Sequence, residues 1–472
     1  MSRITDFFKY LKDKKISFIG VGVSHNDLIR LFLDKGLDVS VCDAKTLGDD
    51  TMAQKDRFPK KLYDEFSEKG ARFFLGENKY IDGIMQADIV FRTPGMYFNH
   101  PDIKAARDNG IIVTSEMELF FDLCPCRIYA ITGSDGKSTT TTLVKEFFKR
   151  DGKRVFFGGN IGKPLLCRIE QINEDDVAVV ELSSFQLISM RESPYAAAIT
   201  NITPNHLNVH GTMEEYIDAK CNILRHQTAF SRAVLNLDNE NTRNLADIVR
   251  GRLSYFSRRV IPECGSFLDE NGWLCYNDRG CVTKVVHKND IKIPGIHNVE
   301  NFLTAIALTW GDVTLESIVD TAKEFGGVEH RIEFVRELDG VRYYNDSIAS
   351  SPTRVMAGLN SFDRKMIVIM GGSDKGISFK PMAPLILEKV KLLIVMGETA
   401  DAIRKSVVEQ DGFSESEIVI KKASGMEEAV RIAKENAKSG DIVSLSPACA
   451  SFDMYRMFEE RGNHFKKIVN EL

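Results

Sequence analysis

The chain contains 472 residues, of which 43% are hydrophobic and 27% are charged, and its formal net charge is -5 at pH 7. This length exceeds one ordinary domain and predicts two or three, and the hydrophobic content argues against gross disorder. The charges form no long single-sign run, so nucleic acid and acidic membrane surfaces are not expected as partners.

The cysteines and the apolar segments indicate the compartment. Only Cys124 and Cys126 lie close together among nine cysteines, and a C-x-C pair alone is a poor zinc or redox signature. We therefore expect free thiols in a reducing compartment. The first 15 residues are too polar for a secretory signal, and no apolar run is long enough to span a bilayer. The expectation is a cytoplasmic monomer without stable membrane insertion.

The N-terminal segment alternates apolar runs with helical patterns. Strands are predicted at 15–20, 38–43, 87–91 and 111–114. Such alternation predicts a parallel sheet with crossover connections, so a Rossmann-like domain is expected at 1–114. Gly20-Val21-Gly22-Val23-Ser24 after the first strand resembles a dinucleotide fingerprint, although His25 replaces its third glycine. NAD binding is an open alternative for this domain considered alone.

Two further α/β series follow. The middle domain, 115–328, has predicted strands at 127–132, 177–182, 196–202 and 233–237. Short alternating runs and turn residues such as Asn271-Gly272 predict hairpins, between about 257 and 294, attached to its parallel sheet. The last domain, 329–472, has predicted strands at 341–345, 365–370, 392–396 and 441–445 and is also expected to be Rossmann-like.

The strongest local signal is Thr132-Gly133-Ser134-Asp135-Gly136-Lys137-Ser138-Thr139, between a predicted strand and a predicted helix. Glycines let backbone N–H groups converge on an anion, and the helix N-terminus adds partial positive charge. Lys137 is expected to bind the terminal phosphates of a nucleotide, and the Ser138 hydroxyl to bind Mg²⁺. Ile131 stands where the strict Walker pattern has glycine, so the match is to a variant loop. A glycine turn with a chance lysine is the disfavoured alternative.

Three more positions in the middle domain are candidates. Glu181 ends a strand at the sheet edge where ligands bind, and its carboxylate suits Mg²⁺, although capping of the next helix is an equal alternative. His206 follows the next strand, and its neutral imidazole suits a metal. Lys220 lies on a predicted helix, where a solvent-exposed lysine is the ordinary expectation.

Taken in order, these motifs resemble the Mur ligase family over nearly the whole chain. The matching elements are TGSDGKST at 132–139, VELSSFQL at 180–187, NITPNHL at 201–207, the helix from Tyr216 to Lys220, GIHNVEN at 295–301 and EHR at 329–331. The resemblance implies an ATP-dependent amide-bond ligase, with a central P-loop ATPase domain and two Mg²⁺ sites. Ser138 and Glu181 would bind one Mg²⁺, and His206 the other. Lys220 would carry a carbamate, which converts a cation into an anionic oxygen ligand.

The resemblance also implies which residues bind the substrates. Lys137, His206, Lys220 and Arg331 would be catalytic, and Asn298, Arg331 and Asp346 would contact the nucleotide. The N-terminal domain would bind a UDP group through its loop residues, which are Gly22, Ser24, Asp43, Thr93, Pro94 and Gly95. Asn160, in a G-G-N-I-G segment, would contact the sugar-peptide part of the same substrate.

Motifs near the C-terminus, SPACASFD at 446–453 and FEERGN at 458–463, resemble the branch of the family that adds D-glutamate. Lys375 and Ser451 would bind the carboxylates of the amino acid, and Phe452 and Phe458 complete the implied site. The D-N-P-R motif of the diaminopimelate- and lysine-adding branches does not occur in the sequence. The implied reaction joins D-glutamate to UDP-N-acetylmuramoyl-L-alanine through an acyl phosphate, in peptidoglycan precursor synthesis.

The sequence also departs from the family pattern. Ile348 stands where many members carry lysine, and Asn205 and Asn208 stand where aspartates are common. Two alternatives remain open. A folylpolyglutamate synthase-like ligase shares the ATPase core but is not expected to carry the N-terminal nucleotide-binding domain. A non-catalytic nucleotide-dependent binding protein would need neither a second Mg²⁺ site nor residues that bind carboxylates.

Overall fold

The computed structural model describes residues 3–22, 25–48, 57–205, 207–374 and 376–472. Within these residues, helices flank three larger sheets, and a two-stranded pair lies apart from them. The chain divides into two units, one of residues up to 288 with 300–321, the other of 289–299 with 322–472. No helix among the described residues has the length and apolar character needed to cross a membrane.

The first unit begins with a five-stranded parallel sheet. The strands of this region are β1 (Lys15–Ile19), β2 (Asp38–Asp43), β3 (Leu47–Gly48), β4 (Phe58–Pro59), β5 (Arg72–Leu75), β6 (Ile89–Arg92) and β7 (Ile112–Thr114). Its helices are α1 (Arg3–Leu11), α2 (Asn26–Asp34), α3 (Lys60–Glu68), α4 (Tyr80–Met85), α5 (Pro101–Asp108) and α6 (Glu116–Leu123). The sheet order is β5-β2-β1-β6-β7, and β3 pairs with β4 separately. The order reverses between β1 and β6, which opens a crevice at their carboxyl ends.

The first unit also contains a nine-stranded sheet. Its strands are β8 (Arg127–Thr132), β9 (Val155–Gly159), β10 (Val177–Glu181), β11 (Ala196–Ile199), β12 (Arg232–Asn236), β13 (Arg252–Ser257), β14 (Cys264–Leu268), β15 (Trp273–Asp278) and β16 (Cys281–His287). The order is β16-β15-β14-β13-β12-β11-β8-β10-β9, and only the β14–β15 and β15–β16 pairs are antiparallel in the described sheet. The predicted hairpins are therefore present and extend the parallel sheet.

Helices connect these strands and continue beyond them. They are α7 (Lys137–Arg150), α8 (Ser184–Leu187), α9 (Leu207–His210), α10 (Met213–Arg225), α11 (Glu240–Arg243), α12 (Ile296–Thr309) and α13 (Leu315–Glu324). One apolar cluster includes residues of both sheets of the first unit, such as Phe18 and Phe91 of the first and Ala130 and Val180 of the second. Phe18 stacks on Phe91 with ring centroids 4.8 Å apart. The two sheets therefore share a core.

The second unit contains a six-stranded sheet. Its strands are β17 (Glu333–Leu338), β18 (Val341–Asn345), β19 (Met366–Gly371), β20 (Val390–Met396), β21 (Val419–Lys422) and β22 (Ile442–Leu445). Its helices are α14 (Pro352–Leu359), α15 (Ala383–Lys389), α16 (Ala400–Val408), α17 (Met426–Asn436) and α18 (Phe458–Glu471). The order is β17-β18-β22-β19-β20-β21, with β17 antiparallel to β18. Val368 and Met370 join one apolar cluster while Ile367 and Ile369 join another, as alternation along a strand covered on both faces requires.

The α/β class and the parallel sheets are confirmed. The apolar runs predicted as strands lie within one or two residues of β1, β2, β6, β7, β8, β10, β12, β18, β19, β20 and β22, and the run at 196–202 ends earlier, as β11. Seven strands were not predicted, namely β3, β4, β5, β9, β13, β17 and β21, and all except β13 lie at sheet edges. Edge strands have one neighbour and bury less apolar surface, so their sequences carry a weaker signal. The boundaries at 114 and 328 stay predictions.

Candidate active site

The predicted phosphate loop connects the buried strand β8 to the 14-residue helix α7. Gly133 and Gly136 have φ angles of 149° and 79°, a left-handed region that favours glycine. A Cβ at Gly136 would also collide with Asn301 Oδ1. The N-cap residue of α7 is Gly136, which has no side chain, so the positive end of the helix faces the loop, where an anion can bind.

The Lys137 side chain folds back and contacts the backbone of the phosphate loop. Its Nζ donates hydrogen bonds to Gly133 O at 3.0 Å and to Ser134 O at 2.7 Å. Ser138 and Thr139 follow in the first turn of α7, where both are buried. The ammonium group and the Ser138 side chain therefore belong to one short segment at the carboxyl end of β8, which is the arrangement expected for binding phosphate and its counter-ion.

The segment after β11 braces the phosphate loop. Ser134 N donates to Asn201 O at 2.8 Å, and Asp135 N donates to Asn201 Oδ1 at 2.9 Å. Thr200 Oγ1 donates to Asp135 O at 2.6 Å, and Ser134 Oγ donates to Thr203 O at 2.9 Å. Sequence reasoning assigned no role to Thr200, Asn201 or Thr203, although N-I-T-P lies at the end of a predicted strand. β11 is the neighbour of β8 in the sheet, so the two following segments meet.

Glu181 ends β10, the other neighbour of β8, and its register partner is Ile131. The side chain is 1% exposed. Its Oε1 accepts a hydrogen bond from Asn160 Nδ2 at 2.8 Å, while its buried Oε2 has no hydrogen-bond partner among the described residues. A buried carboxylate oxygen without a donor is unfavourable unless a cation binds it, so the site fits a metal ion.

The alternative role for Glu181, capping the next helix, is wrong. Ser183 caps α8 instead: its side chain accepts from the backbone N–H of Gln186, and the Gln186 side chain accepts from the backbone N–H of Ser183. This reciprocal arrangement is a capping box and satisfies the N-terminus of the helix without the glutamate.

Lys220 is buried, not exposed as the helical pattern suggested. The residue is 1% exposed, and its Nζ donates to Gly133 O at 2.9 Å and to Thr132 Oγ1 at 3.2 Å. Burial, together with the nearby charge of Lys137, holds its pKa well below the usual lysine range. The prediction failed because α10 is buried from Ala219 to Leu224, beyond the single apolar stripe of an ordinary surface helix.

Tyr216 connects Lys220 to the phosphate loop. Its ring lies 4.7 Å from Lys220 Nζ, and its hydroxyl lies 3.1 Å from Ser134 Oγ. His210 packs edge-on against the same ring at 5.3 Å and lies 2.9 Å from Ser184 Oγ through its Nε2. The Lys220 amine therefore lies against the face of a ring whose hydroxyl contacts the phosphate loop, and this packing limits where the amine can move.

The UDP-binding residues predicted in the first sheet follow its three central strands. Gly22 follows β1, Asp43 ends β2, and residues 93–95, which include Thr93 and Gly95, follow β6. The three strands are neighbours, so the structure brings these positions to one edge. Asp43 accepts hydrogen bonds from the backbone N–H groups of Val21 at 3.4 Å and Lys45 at 2.9 Å. Ser24 lies outside the described residues.

A cavity of about 230 Å³ lies between the two sheets of the first unit, and both Pro94 and Asn160 line it. Three titratable residues that the sequence did not indicate line it as well. They are His25, Arg92 and Glu116. Burial lowers the pKa of His25 to about 4 and raises that of Glu116 to about 7. The cavity therefore has polar walls and stands beside the carboxyl ends of both sheets.

Arg92, which lines this cavity, links the first sheet to helix α8 and the residues just after it. It ends β6, and its Nη2 donates to Phe185 O at 3.1 Å and to Ser189 Oγ. Nearby, the Tyr97 hydroxyl donates to Glu215 at the start of α10. The loop that follows β6 is therefore tied to the helix that carries Lys220.

The second unit contains the other predicted nucleotide residues. Asp346 follows β18, and burial raises the pKa of its carboxyl to about 7 although Arg331 and Arg354 partly oppose the shift. Its Oδ1 accepts from Ile332 N at 3.2 Å. Asn298 Nδ2 donates to Pro294 O at 2.6 Å.

Three of the predicted amino-acid-binding residues lie near β22. Ser451 is buried in the segment after β22, and its carbonyl accepts from Met454 N at 3.1 Å and Tyr455 N at 2.7 Å. Phe452 is 48% exposed. Phe458 begins α18, and its carbonyl accepts from Ser347 Oγ at 2.8 Å.

Two further predicted residues, His206 and Lys375, lie outside the described residues like Ser24, and so do the side chains at 207 and 208. Among the residues that the structure does describe, no three His, Cys, Asp or Glu side chains converge to form a metal site. Glu181 is therefore not part of a cluster of three such side chains within the described residues.

Known proteins match this chain over most of its length. The Mur ligase middle domain family matches residues 131–309, and the family described as the Mur ligase glutamate ligase domain matches residues 330–449. UDP-N-acetylmuramoylalanine--D-glutamate ligase of Acetivibrio thermocellus is 48% identical, with 100% of this chain and 99% of that protein covered. The protein of the same name from Clostridium tetani is 44% identical, with 99% of each chain covered.

Solved structures agree at the level of the fold. UDP-N-acetylmuramate-alanine ligase of Thermotoga maritima superimposes with a TM-score of 0.57 at 18% identity, covering 97% of this chain and 99% of that one. MurF of Acinetobacter baumannii gives a TM-score of 0.58 at 14% identity, covering 99% and 98%. The curated relatives share far more of the sequence, over almost the full length of both chains, and on that ground the chain belongs to the Mur ligase family.

Proposed function

We propose that this protein joins D-glutamate to UDP-N-acetylmuramoyl-L-alanine, with conversion of ATP to ADP and phosphate, in the synthesis of peptidoglycan precursors. One observation carries the proposal: the phosphate loop, the unpartnered carboxylate oxygen of Glu181 and the buried amine of Lys220 converge at the carboxyl ends of β8 and β10. The names of the 48% and 44% identical relatives supply the substrates.

The chemistry requires activation of a carboxylate, which is a poor acyl donor. The carboxylate of the bound UDP-sugar-alanine attacks the γ-phosphorus of ATP, the bond to ADP breaks, and an acyl phosphate forms. The amine of D-glutamate then attacks the acyl carbon, and the tetrahedral intermediate expels phosphate as the amide forms. Lys137 and the N-terminal N–H groups of α7 stabilise negative charge on the transferring phosphoryl group.

Metal binding is assigned to side chains around the phosphate loop. Ser138 and Glu181 would bind one Mg²⁺, and His206 with a modified Lys220 would bind a second. Magnesium, when bound, neutralises phosphate charge and polarises the phosphoryl group. The unpartnered Oε2 of Glu181 supports the first site.

Modification of Lys220 to a carbamate is chemically reasonable in this environment. The nitrogen lone pair attacks the carbon of CO₂, an N–C bond forms, and the amine loses one proton. Only the neutral amine has that lone pair, and the lowered pKa of Lys220 favours the neutral form. The product is an anionic oxygen donor, which suits a hard cation beside phosphate.

The substrates are assigned to separate parts of the chain. We assign the UDP group to Gly22, Ser24, Asp43 and residues 93–95, and the sugar-peptide part to Asn160 in the cavity beside Glu181. The Asn160 side chain lines the cavity and also donates a hydrogen bond to Glu181. It would therefore contact both the sugar-peptide substrate and the residue that binds the metal ion. Asn298, Arg331 and Asp346 are assigned to the nucleotide, and Lys375, Ser451, Phe452 and Phe458 to D-glutamate.

The deciding experiment measures phosphate release from ATP with UDP-N-acetylmuramoyl-L-alanine, with and without D-glutamate, and detects the new amide product by mass. The proposal is supported if the amide product and phosphate release from ATP both require UDP-N-acetylmuramoyl-L-alanine and D-glutamate together. Turnover of a folate with glutamate instead would support the folylpolyglutamate synthase-like alternative. Phosphate release that ignores every acceptor would support a nucleotide-dependent binding protein.

A further inference from the structure

Arg461 is a fully buried cation in the second unit, with 0% of its surface exposed. It lies in the first turn of α18, and its guanidinium donates four hydrogen bonds. Nε donates to Ser347 Oγ at 3.0 Å, and Nη2 donates to Ser347 O at 2.9 Å. Nη2 also donates to Cys449 O at 3.2 Å, and Nη1 donates to Ala450 O at 3.1 Å. All four acceptors are neutral oxygens.

These acceptors belong to the two loops around the amino-acid site assigned above. Ser347 follows β18, and residues 449–450 follow the neighbouring strand β22. Ser451 is the next residue after Ala450. The Ser347 hydroxyl that accepts from Arg461 donates in turn to Phe458 O at 2.8 Å. One guanidinium therefore fixes the backbone next to Ser451 and, through Ser347, the start of α18.

The loop after β22 contains a strained backbone conformation. Ala448 has a φ angle of 61°, in the left-handed region that an alanine rarely adopts. Its N–H donates to Ala349 O at 2.9 Å, and Pro447 O accepts from Gly371 N at 2.9 Å. Strain of this kind persists only where the surroundings determine the conformation. Arg461 donates hydrogen bonds to the carbonyls of Cys449 and Ala450, the two residues that follow Ala448.

We propose that Arg461 is a positioning residue for the amino-acid substrate. It sets the loop that presents Ser451 and the helix start that presents Phe458. It also gives the site positive charge that no carboxylate neutralises by direct contact within the described residues. This inference rests on the proposed function, because it assumes that the second unit binds an amino acid with two carboxylates.

The residue type matters for this role. A guanidinium is planar and offers five N–H donors in a fixed fork, so it can bond to acceptors on two loops at once. A lysine ammonium has three donors on one atom and cannot reach all four acceptors in this geometry. Burial lowers the pKa of Arg461 to about 10, so the group is charged at neutral pH. A buried charge with only neutral partners favours an incoming anion.

The test compares steady-state kinetics of the whole protein and of Arg461→Lys for ATP, UDP-N-acetylmuramoyl-L-alanine and D-glutamate. We expect the KM for D-glutamate to rise at least about tenfold, as loss of charge-assisted hydrogen bonds predicts, and the other two KM values to change less than about twofold. Arg461→Gly should regain part of its D-glutamate affinity in millimolar guanidinium chloride.

A matched control is Arg336→Gln. Arg336 also donates to backbone carbonyls of α18, at Val469 O (3.2 Å) and Asn470 O (3.0 Å), but at the opposite end of the helix. Its KM for D-glutamate should equal that of the wild type. Ser347→Ala is a probe that keeps the arginine and removes the two hydrogen bonds of the Ser347 hydroxyl, to Arg461 and to Phe458 O. It should raise the same KM at least about threefold, as loss of buried hydrogen bonds predicts.

Several outcomes would overturn the positioning role of Arg461. Equal increases in all three KM values, a fall in kcat alone, or an unchanged KM for D-glutamate in folded Arg461→Lys would overturn the positioning role. If Arg461→Lys does not fold by circular dichroism, an unchanged D-glutamate KM in Ser347→Ala overturns it. Wild-type phosphate release that ignores D-glutamate would instead overturn the proposed function, and this inference with it.

Discussion

Glu181→Gln offers the sharpest test of the metal site because it separates stability from function. Oε2 of Glu181 is buried without a hydrogen-bond partner in the described structure, whereas Oε1 accepts from Asn160. Glutamine keeps the shape and the Asn160 bond but removes the charge. A buried unsatisfied group costs about 1–3 kcal/mol, and the new amide nitrogen is itself a buried polar group, so we expect only part of that cost to be recovered.

We therefore expect metal-free Glu181→Gln to be more stable than the wild type by about 1 kcal/mol. That difference corresponds to a Tm increase of about 2–4 °C. With Mg²⁺ and ATP the order should reverse, because a ligand present at 100 times its Kd stabilises the folded state by about 2.7 kcal/mol. The variant would lose most of that gain and its ATP turnover.

The assay is thermal unfolding of both proteins in EDTA and in Mg²⁺ with ATP. Asp176→Asn is the matched control, since Asp176 directly precedes β10 at its opposite end, is buried, and accepts from Asn173 N at 2.8 Å. That variant should respond to Mg²⁺ and ATP as the wild type does. A glutamine variant that retains the full response to Mg²⁺ and ATP, or that is less stable in EDTA by more than about 2 kcal/mol, would show that the carboxylate has a structural role.

Three further predictions concern the same unit. Lys220→Met should remove D-glutamate-dependent turnover. It should change the free energy of unfolding by less than about 2 kcal/mol, because two hydrogen bonds are lost but a buried amine is removed as well. We expect short carboxylic acids to restore part of the turnover, and unimpaired activity would exclude Lys220 from the mechanism. Lys137→Ala should reduce kcat for ATP turnover at least about 100-fold, measured as phosphate release, and wild-type turnover would contradict the assigned phosphate loop. Because the pKa of Glu116 is raised from 4.5 to about 7, the folded state binds more protons than the unfolded state in that window, so this carboxyl lowers stability as pH rises through it. Glu116→Gln should therefore gain up to about 3 kcal/mol over the wild type between pH 4.5 and 7, and parallel denaturation profiles would refute the shift.

Strands could be predicted where burial was complete, and helices where a glycine or a cap began them. β10, with the sequence Val-Ala-Val-Val-Glu, is buried throughout, and such a run has few alternatives to a central parallel strand. β21, with Val-Ile-Lys-Lys, is half exposed at a sheet edge, and its residues are equally typical of a loop or a helix end. Which strand lies at an edge depends on the sheet order, and a local sequence window contains no information on that order.

The same limit applied to the site. The phosphate loop was predictable because glycine spacing, strand and helix are all local. Burial of Lys220 instead depends on contact between α10 and β8, where Lys220 and Thr132 are 88 positions apart in the chain. Ser183 and Gln186 were a local signal that sequence reasoning did not use: an S-x-x-Q capping box that already satisfied α8 would have favoured the metal role for Glu181.

Glu181, Lys220 and Arg461 share a property that the sequence could not reveal. Each is almost fully buried, and none pairs directly with an opposite charge among the described residues. Burial of an unpaired ionisable group is unfavourable for folding, and the core offers no packing reason to keep it. Under the proposed function, a ligand would lower this cost at each position: a cation beside Glu181, CO₂ reacting with the neutral amine of Lys220, and a carboxylate near Arg461. Stabilisation by ligands should therefore exceed what their contact area alone would give, because binding also relieves a cost already present in the free protein.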